Sequence, residues 1–150
     1  MRISVVCPFY NEEAIIVKSV KRASEILASL DENSELIIVN DGSTDKGLDL
    51  ILEFLKEGGA SSSLRILSYS ENRGRGHALR TGIKHATGDI VVTTESDLSW
   101  GEDIIHRLVA TLDENPESHF VIASPHMKGG GFKRVPLLRV IISSIGNYAL

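Results

Sequence analysis

The sequence predicts an α/β fold in which helices cover both faces of a mostly parallel β-sheet. Short runs of β-branched and apolar residues alternate along the chain with longer segments whose apolar residues recur at helical spacing. The short runs are apolar almost throughout, as strands buried on both faces are. Turn-forming residues, such as "NDGSTD" at 40–45, separate the two kinds of segment. This alternation is typical of parallel strands joined by crossover helices.

Five apolar runs are the expected strands. In chain order they are "RISVVCPF" (2–9), "ELIIVN" (35–40), "LRILSY" (64–69), "DIVVTT" (89–94) and "HFVIAS" (119–124).

Four segments with helical periodicity follow the first four strands. They are residues 12–30, a helix after Asp45 that carries Leu48, Ile51, Leu52 and Leu55, residues 77–86, and residues 102–114. Asn11 and Asp45 are the expected N-caps of the first two helices, and Gly88 is expected to end the third.

Length and composition narrow the class of protein. The chain has 150 residues, enough for one domain with a sizeable core. Its net charge of -4 argues against wholesale nucleic-acid binding, so no nucleic-acid partner is expected. Cys7 is the only cysteine and can form no internal disulfide. The sequence has no apolar run long enough for a membrane span and no signal-peptide pattern at its start.

Polar clusters follow the first four expected strands. They are "PFYNEE", "NDGSTD", "SENRGRG" and "ESD". Ligands of open parallel sheets bind outside the carboxyl ends of the strands, so these clusters predict a binding site. Solvent-exposed loops would also be polar, and that interpretation stays open.

Two acids after the fourth expected strand suggest a cation site. Glu95 and Asp97 are two residues apart, so their side chains point the same way in an extended segment. Two close carboxylates repel each other unless a cation lies between them, and oxygen ligands suit Mg²⁺ or Mn²⁺. Since Mg²⁺ often binds one or two carboxylates together with substrate phosphates, the pair suggests a metal-bound diphosphate. The alternative is a solvated turn in which Asp97 or Ser99 caps the next helix.

The glycine-rich stretch "GRGHAL" (74–79) matches a dinucleotide-binding fingerprint only in part, because the third glycine is missing. We favour a packing role for its small residues, although a helix N-terminus there could help to bind an anion.

Four stretches together resemble glycosyltransferase family 2, the nucleotide-sugar transferases of GT-A fold. They are "VVCPFYNEE" (5–13), "IIVNDGSTD" (37–45), "NRGRGHALRTGIKHATGD" (72–89) and "ESDLS" (95–99), in family order and spacing. Residues 124–150 are similar to dolichyl-phosphate mannosyltransferases and their polyprenyl-phosphate relatives. The resemblance implies a Rossmann-like GT-A domain, cut short at its C-terminal end, at the cytoplasmic face of a membrane. It also implies inverting, Mg²⁺- or Mn²⁺-dependent sugar transfer from a donor such as GDP-mannose or UDP-glucose to a polyprenyl phosphate.

The resemblance also implies roles for individual residues. The residues implied to bind the nucleotide are Pro8, Tyr10, Glu12 and Asp41. Those implied to bind the metal are Glu95, Asp97 and Ser99, and Asp97 is also implied to be catalytic. Arg139 and Ser143 are implied to bind the acceptor phosphate. Arg139 and Ser143 are four residues apart, which places both on one face of a helix.

The sequence departs from the family pattern at four positions. Glu95 and Asn40 stand where aspartate is usual. Ser99 stands where the mannosyltransferases have glutamine, and Pro125 stands where they have a phosphate-binding arginine. These departures leave the sugar and the acceptor open.

Two further functions remain as alternatives. One is a nucleotide-sugar-binding module without turnover, and the other is a transferase with a hydroxyl acceptor, for which Asp103 is the candidate base. The segment 136–150 could lie on a membrane surface or pack as a core helix.

Overall fold

The computed structural model describes residues 1–30, 33–59, 63–97, 101, 103–127, 130, 131, 135–140 and 143. Strands and helices alternate through this part of the chain. The strands are β1 (Ile3–Phe9), β2 (Glu35–Asp41), β3 (Leu64–Tyr69) and β4 (Ile90–Thr93), and the helices are α1 (Ile16–Leu30), α2 (Gly47–Lys56), α3 (Arg75–His85) and α4 (Ile104–Glu114).

The four strands form one parallel sheet in the order β3-β2-β1-β4. Val6 of β1 lies opposite Ile37 of β2 on one side and Thr93 of β4 on the other. The chain therefore builds outward from β1 through β2 to β3, and then returns to the opposite side of β1. The carboxyl ends of β1 and β4 flank the point where the direction of winding reverses, which is where ligands of such sheets bind.

Helices cover both faces of the sheet, as predicted. One face packs against α1, α2 and α4 around a core that includes Val5, Ile38, Ile16, Ile51 and Ile105. The other face carries α3, with Ala78 packed against a cluster of strand residues. These strand residues are Val6, Ile37 and Val39. Every residue of β1 and β2 is buried, which explains why these two runs lack the alternation of a half-exposed strand.

The first helix begins later than predicted, because Asn11 does not cap it. Its side-chain oxygen instead accepts the N–H groups of Thr44 at 2.8 Å and Asp45 at 3.3 Å, in the loop after β2. Residues 12–15 form a turn, and regular α-helix starts at Ile16. The third helix starts two residues earlier than predicted, at Arg75, and ends at His85.

The predicted fifth strand is wrong. Residues 119–124 have no regular secondary structure, and the side chains of Phe120 and Ile122 are 74% and 70% exposed. A strand needs a neighbouring strand to pair with its backbone, and no described residue pairs with this segment. The local run of apolar residues could not show whether such a neighbour exists.

The chain divides into two compact units, residues 1–110 and 111–150. The first unit contains the whole sheet. Among the described residues, no helix combines the length and the apolar character that crossing a bilayer requires.

Candidate functional site

A cleft of about 330 Å³ opens at the carboxyl ends of the strands, within the first unit. This volume lies at the small end of the range of ligand sites. The ends of β1 and β2 and the loops after β1, β3 and β4 contribute to its wall. The lining residues are Pro8, Phe9, Tyr10, Glu12, Asp41, Asn72, Gly74, Arg75, Glu95, Ser96 and Asp97.

The loops after β1 and β2 are tied together by hydrogen bonds. Besides the bonds that Asn11 accepts, the backbone N–H of Glu13 donates to the carboxylate of Asp45 at 2.8 Å. The backbone N–H of Lys46 donates to the carboxylate of Glu13 at 3.0 Å. Asn11 has a positive φ of 55°, a conformation that asparagine tolerates better than most residues. This network fixes the loop that brings Tyr10 and Glu12 to the cleft.

Asp41, at the end of β2, holds the loop between β3 and α3. Its Oδ1 accepts the hydroxyl of Tyr69 at 2.6 Å and the backbone N–H of Arg73 at 3.0 Å. The side-chain amide of Asn72 donates to the backbone oxygen of Asp41 at 3.1 Å and to its Oδ2 at 3.3 Å. Burial raises the pKa of the Tyr69 hydroxyl, as do its hydrogen bond to Asp41 and the charge of that carboxylate. Tyr69 therefore stays protonated and donates.

The loop that Asp41 holds delivers the start of α3 to the cleft. Gly74 precedes the helix with φ +82°, a conformation that favours glycine. The N–H groups of a first helical turn lack partners within the helix and favour anions. Arg75, the first residue of α3, forms an ion pair with Glu95 across the cleft, with 3.1 Å between the guanidinium nitrogen and the carboxylate oxygen. A cation and a helix N-terminus therefore face the acids at the end of β4.

Glu95 and Asp97 lie beyond β4 rather than in it. The strand ends at Thr93, and Ser96 and Asp97 form a turn. The segment is therefore not extended as predicted, and the two acid side chains are not aligned by strand geometry. Both side chains nevertheless line the same cleft, Glu95 half-buried and Asp97 exposed.

The acids of the cleft act on a buried thiol at the centre of the sheet. Cys7, on β1, is 3% exposed, and its pKa is raised to about 12. Burial is the main cause, and the charges of Asp97, Glu12 and Glu95 add to it.

The chemistry of these donors fits a hard divalent cation bound partly by other ligands. Among the described residues, no three His, Cys, Asp or Glu side chains group into a complete metal site. Two carboxylates leave coordination positions for water and phosphate oxygens, which is how Mg²⁺ sites at nucleotides are commonly built. Glu95 and Asp97 would be the protein ligands of such an ion.

Six of the predicted site residues meet in this one cleft. They are Pro8, Tyr10, Glu12, Asp41, Glu95 and Asp97. Ser99, the third predicted metal ligand, lies outside the described residues. The candidate base Asp103 is exposed, does not line the cleft, and lies 3.9 Å from Arg107 in an ion pair.

Arg139 and Ser143 belong to the second unit, and both are exposed. Residues 137–140 and 143 are helical, and the rest of the predicted helical segment after residue 140 lies outside the described residues. The hydroxyl of Ser143 lies 3.1 Å from Nε2 of His126.

Sequence reasoning assigned no role to several residues that build the cleft. They are Phe9, Tyr69, Asn72, Arg75 and Ser96. The stretch "SENRGRG" indicated a polar loop after β3. Which of its residues face the cleft is set by the hydrogen bonds that Asn72 and the backbone of Arg73 donate to Asp41. Arg75 could have been predicted as an anion-binding residue, because it is a cation at the start of a helix that follows a glycine.

Comparison with known proteins adds to this geometry. The model of the family "Glycosyl transferase family 2" matches residues 4–149. A curated relative, undecaprenyl-phosphate 4-deoxy-4-formamido-L-arabinose transferase of Enterobacter sp. (strain 638), is 33% identical over 113 residues, which cover 75% of this chain and 34% of the relative. The chain thus spans about a third of the length of the curated relatives it matches.

Two solved structures are similar over 73% of the chain. Mannosyltransferase PcManGT from Pyrobaculum calidifontis, in complex with GDP-Man and Mn²⁺, has a TM-score of 0.63 at 28% identity, with 32% of its chain covered. Glucosyl-3-phosphoglycerate synthase from Mycobacterium tuberculosis, in complex with Mn²⁺, UDP and glucosyl-3-phosphoglycerate, has a TM-score of 0.53 at 29% identity, with 39% of its chain covered.

Proposed function

The chain belongs to glycosyl transferase family 2, and on that premise we propose that it transfers a sugar, with inversion, from a nucleoside-diphosphate sugar to a polyprenyl phosphate. We further propose that the reaction depends on Mg²⁺ or Mn²⁺. One observation carries the proposal: two carboxylates after β4 face Arg75 and the start of α3 across a cleft at the reversal point of the sheet.

The cleft offers complementary surfaces to the two ends of the donor. Pro8, Tyr10, Glu12 and Asp41 would contact the nucleotide, at the ends of β1 and β2. Arg75 and the first N–H groups of α3 would contact the diphosphate, because both favour negative charge. The ion pair between Arg75 and Glu95 holds the guanidinium at the cleft in the free protein.

Glu95 and Asp97 would hold the divalent cation against the diphosphate. When bound, the cation supplies Lewis-acid stabilisation of the negative charge that gathers on the leaving diphosphate. The carboxylates themselves provide oxygen ligands of the type that Mg²⁺ and Mn²⁺ prefer. Solved relatives contain Mn²⁺ together with GDP-Man or UDP, which supports this assignment.

The transfer itself is a displacement at the anomeric carbon. An oxygen of the acceptor attacks that carbon from the face opposite the diphosphate, and the bond between the carbon and the diphosphate oxygen breaks with its electron pair leaving on the diphosphate. Positive charge develops at the anomeric carbon, as it does in glycoside hydrolysis. An acceptor phosphate is already ionised near neutral pH, so this reaction needs no general base.

A polyprenyl phosphate is the acceptor class that best agrees with the relatives. The curated relative carries undecaprenyl phosphate in its name, and residues 124–150 contain Arg139 and Ser143 at the positions implied for the acceptor phosphate. A lipid acceptor would place the working protein at a membrane surface, at its cytoplasmic face. The competing hydroxyl-acceptor reaction would need a base, and Asp103 is paired with Arg107 outside the cleft.

Ligand-dependent thermal unfolding tests the donor site. The chain would be unfolded with GDP and with UDP, each with and without Mn²⁺. A nucleotide at about 100 times its Kd should add roughly 2.7 kcal/mol to the free energy of unfolding, a shift of several degrees for a domain of this size. We expect the shift to require Mn²⁺ and to occur with one nucleotide more than with the other.

A double variant and its matched control make the test specific. Glu95→Gln with Asp97→Asn should abolish the Mn²⁺-dependent shift while the protein stays folded. Glu117→Gln with Asp113→Asn removes the same charge from exposed positions and should leave the shift intact. Retention of the full shift by the cleft variant would refute the metal assignment. The absence of a shift with either nucleotide in a folded wild-type sample would refute the donor site and favour a degenerate module.

A further inference from the structure

We propose that Arg75 changes partners when the donor binds: it pairs with Glu95 in the ligand-free protein and passes to the diphosphate once Glu95 holds a divalent cation. The inference rests on the proposed function and adds a coupling between the two ligands. Through Arg75, binding of the cation and binding of the nucleotide strengthen each other.

The first observation is that a cation of the chain itself lies on a proposed metal ligand. A guanidinium nitrogen of Arg75, the first residue of α3, is 3.1 Å from a carboxylate oxygen of Glu95, which follows β4. Both side chains line the cleft. Since a guanidinium and a divalent ion repel each other at such distances, Arg75 has to leave Glu95 before the ion can bind there fully.

The second observation is the charge of the cleft wall. Four of its eleven lining residues are acids, and Arg75 is the single cation among the described residues that line it. A diphosphate that entered without a divalent ion would meet mostly negative charge, and it would have to draw Arg75 away from Glu95. Either ligand, when it binds alone, therefore has to break the same ion pair.

The third observation is the length of the Glu95 side chain. Aspartate is usual at this position in the family that the sequence resembles, and glutamate is one methylene longer. On the same backbone, an aspartate carboxylate would end up to about 1.5 Å short of the contact with Arg75. The departure from the family pattern thus provides the reach that the ion pair needs.

The fourth observation is that the pair can separate easily. The side chains of Arg75 and Glu95 are 61% and 36% exposed, and exposed ion pairs contribute little to stability. Arg73, two residues earlier, is more constrained, because its guanidinium lies 5.9 Å from the centre of the Tyr69 ring. A diphosphate carries more negative charge than one carboxylate and offers oxygens to both arms of a guanidinium, so it is the better partner for Arg75.

These observations define a linkage between the two ligands. The cation alone and the nucleotide alone each break the pair of Arg75 and Glu95, whereas the two together break it only once. Each ligand therefore raises the affinity for the other, in addition to any direct contact between them. Without Arg75 this part of the coupling should disappear.

Titration of Mn²⁺ into the full chain without nucleotide tests the exchange, with the paramagnetic resonance signal of free Mn²⁺ as the readout. Arg75→Gln removes the competing cation and should lower the Kd for Mn²⁺ about fivefold, the equivalent of about 1 kcal/mol. In the presence of Mn²⁺, calorimetry should show a higher Kd of the variant for GDP or UDP. A residue that only bound the diphosphate would produce the second effect without the first.

The coupling itself is a further readout. The factor by which Mn²⁺ strengthens nucleotide binding should be about fivefold smaller in Arg75→Gln than in wild type, because only the direct contact between the ligands remains. The thermal midpoint without ligand checks that the variant is folded, which we expect because the side chain of Arg75 is largely exposed.

The control is Arg80→Gln, which removes the same charge from an exposed position of α3 that does not line the cleft. It should leave the Kd for Mn²⁺ unchanged. An unchanged or raised Kd for Mn²⁺ in Arg75→Gln would overturn the proposal, and so would an equal fall in Arg80→Gln. Failure of both wild type and Arg75→Gln to bind Mn²⁺ would also overturn it, because Arg75 would then not be what limits the site.

Failure of this proposal can be told apart from failure of the proposed function. Donor binding by the wild-type protein is measured separately, by the Mn²⁺-dependent thermal shift with GDP or UDP. A normal donor shift together with equal Mn²⁺ affinities of wild type and Arg75→Gln would count against the exchange alone. Tighter Mn²⁺ binding by Arg75→Gln without any nucleotide shift in wild type would count against the transferase assignment alone.

Discussion

Asp41 shows how one residue can serve both the fold and the site. Asp41 is 3% exposed yet lines the cleft, and its carboxylate accepts hydrogen bonds from Tyr69, Asn72 and the backbone of Arg73. A buried carboxylate is tolerated only when such bonds replace its hydration. Asp41 therefore positions the loop that carries Arg75, in addition to any contact with a nucleotide.

Replacement of Tyr69 by phenylalanine tests this arrangement. Tyr69→Phe removes the 2.6 Å bond to Asp41, and a hydrogen bond to a charged group contributes about 1.5–3 kcal/mol. We expect chemical denaturation to show a loss of that size. Nucleotide binding, measured by the Mn²⁺-dependent thermal shift, should weaken as well, because Asp41 and the loop lose their common anchor.

Tyr10→Phe is the matched control for stability, since Tyr10 is 45% exposed and its hydroxyl does not take part in the hydrogen bonds to Asp41. It should change the free energy of unfolding by less than about 0.5 kcal/mol. If Tyr69→Phe proved as mild as Tyr10→Phe, the anchoring role of Tyr69 would be wrong.

At the scale of elements, α3 depends on small residues to approach the sheet. Ala78 and Gly82 are the buried residues of this helix. A Cβ at Gly82 would overlap the side chain of Val6 and press against that of Val39. Within the stretch 74–79, for which a packing role was favoured, Ala78 packs against the sheet, whereas Gly74 and Arg75 line the cleft.

Two glycine substitutions in α3 should have opposite effects. Gly82→Ala overpacks the contact with Val6 and should destabilise the protein by about 1–3 kcal/mol. Gly76→Ala meets only the end of the flexible Arg80 side chain at 3.8 Å, and a gain of up to about 1 kcal/mol is expected from helix propensity. Denaturant midpoints of the two variants measure both effects. A neutral Gly82→Ala would mean that α3 can move away from the sheet without cost.

At the scale of the whole molecule, a buried glutamate joins three strands at the end of the sheet opposite the cleft. Glu35 of β2 is 2% exposed and accepts hydrogen bonds from Ser4 of β1 at 2.7 Å and from Thr87, whose backbone N–H and hydroxyl both donate at 2.7 Å. Arg65 of β3 approaches its other oxygen at 3.4 Å. Burial opposes the ionisation of Glu35, but these hydrogen bonds outweigh burial and lower its pKa to about 2.

This lowered pKa predicts the acid dependence of stability. The unfolded chain binds the proton of Glu35 with the ordinary pKa of 4.5, so the stabilisation is fully present above that pH. It is lost as the pH falls from about 4.5 to about 2, by an amount on the order of 3 kcal/mol. Glu35→Gln should lower stability at pH 7 and flatten the dependence over this range, as measured by urea denaturation at a series of pH values.

Glu25→Gln is the control, because Glu25 is exposed and pairs with Arg22 on the surface of α1. It should leave the pH profile unchanged, since exposed pairs contribute little. A steep acid dependence that persists in Glu35→Gln would assign the effect to other carboxylates.

Periodicity in the sequence was enough to predict most of the fold. Apolar runs predicted β1 and β2 within one residue at each end, because burial on both faces leaves a continuous apolar signal. The bounds of β3 were also predicted correctly, although this edge strand is only partly buried and includes exposed residues. The run at 119–124 carried the same local signal and is not a strand, because strand formation depends on a partner that the run itself does not encode. Asn11 failed as an N-cap for a similar reason: its partners Thr44 and Asp45 are more than 30 residues away.

The sequence by itself determined the α/β class, and it predicted the carboxyl edge of the sheet as the candidate site and the acids at 95 and 97 as its cation ligands, because these depend on residue type and local order along the chain. The tertiary structure alone decided that Arg75 faces Glu95, that Tyr69 and Asn72 hold Asp41, and that His126 meets Ser143. Each of these contacts joins segments that are distant in sequence. Their geometry follows from strand order, register and loop closure, which no local pattern of residues specifies.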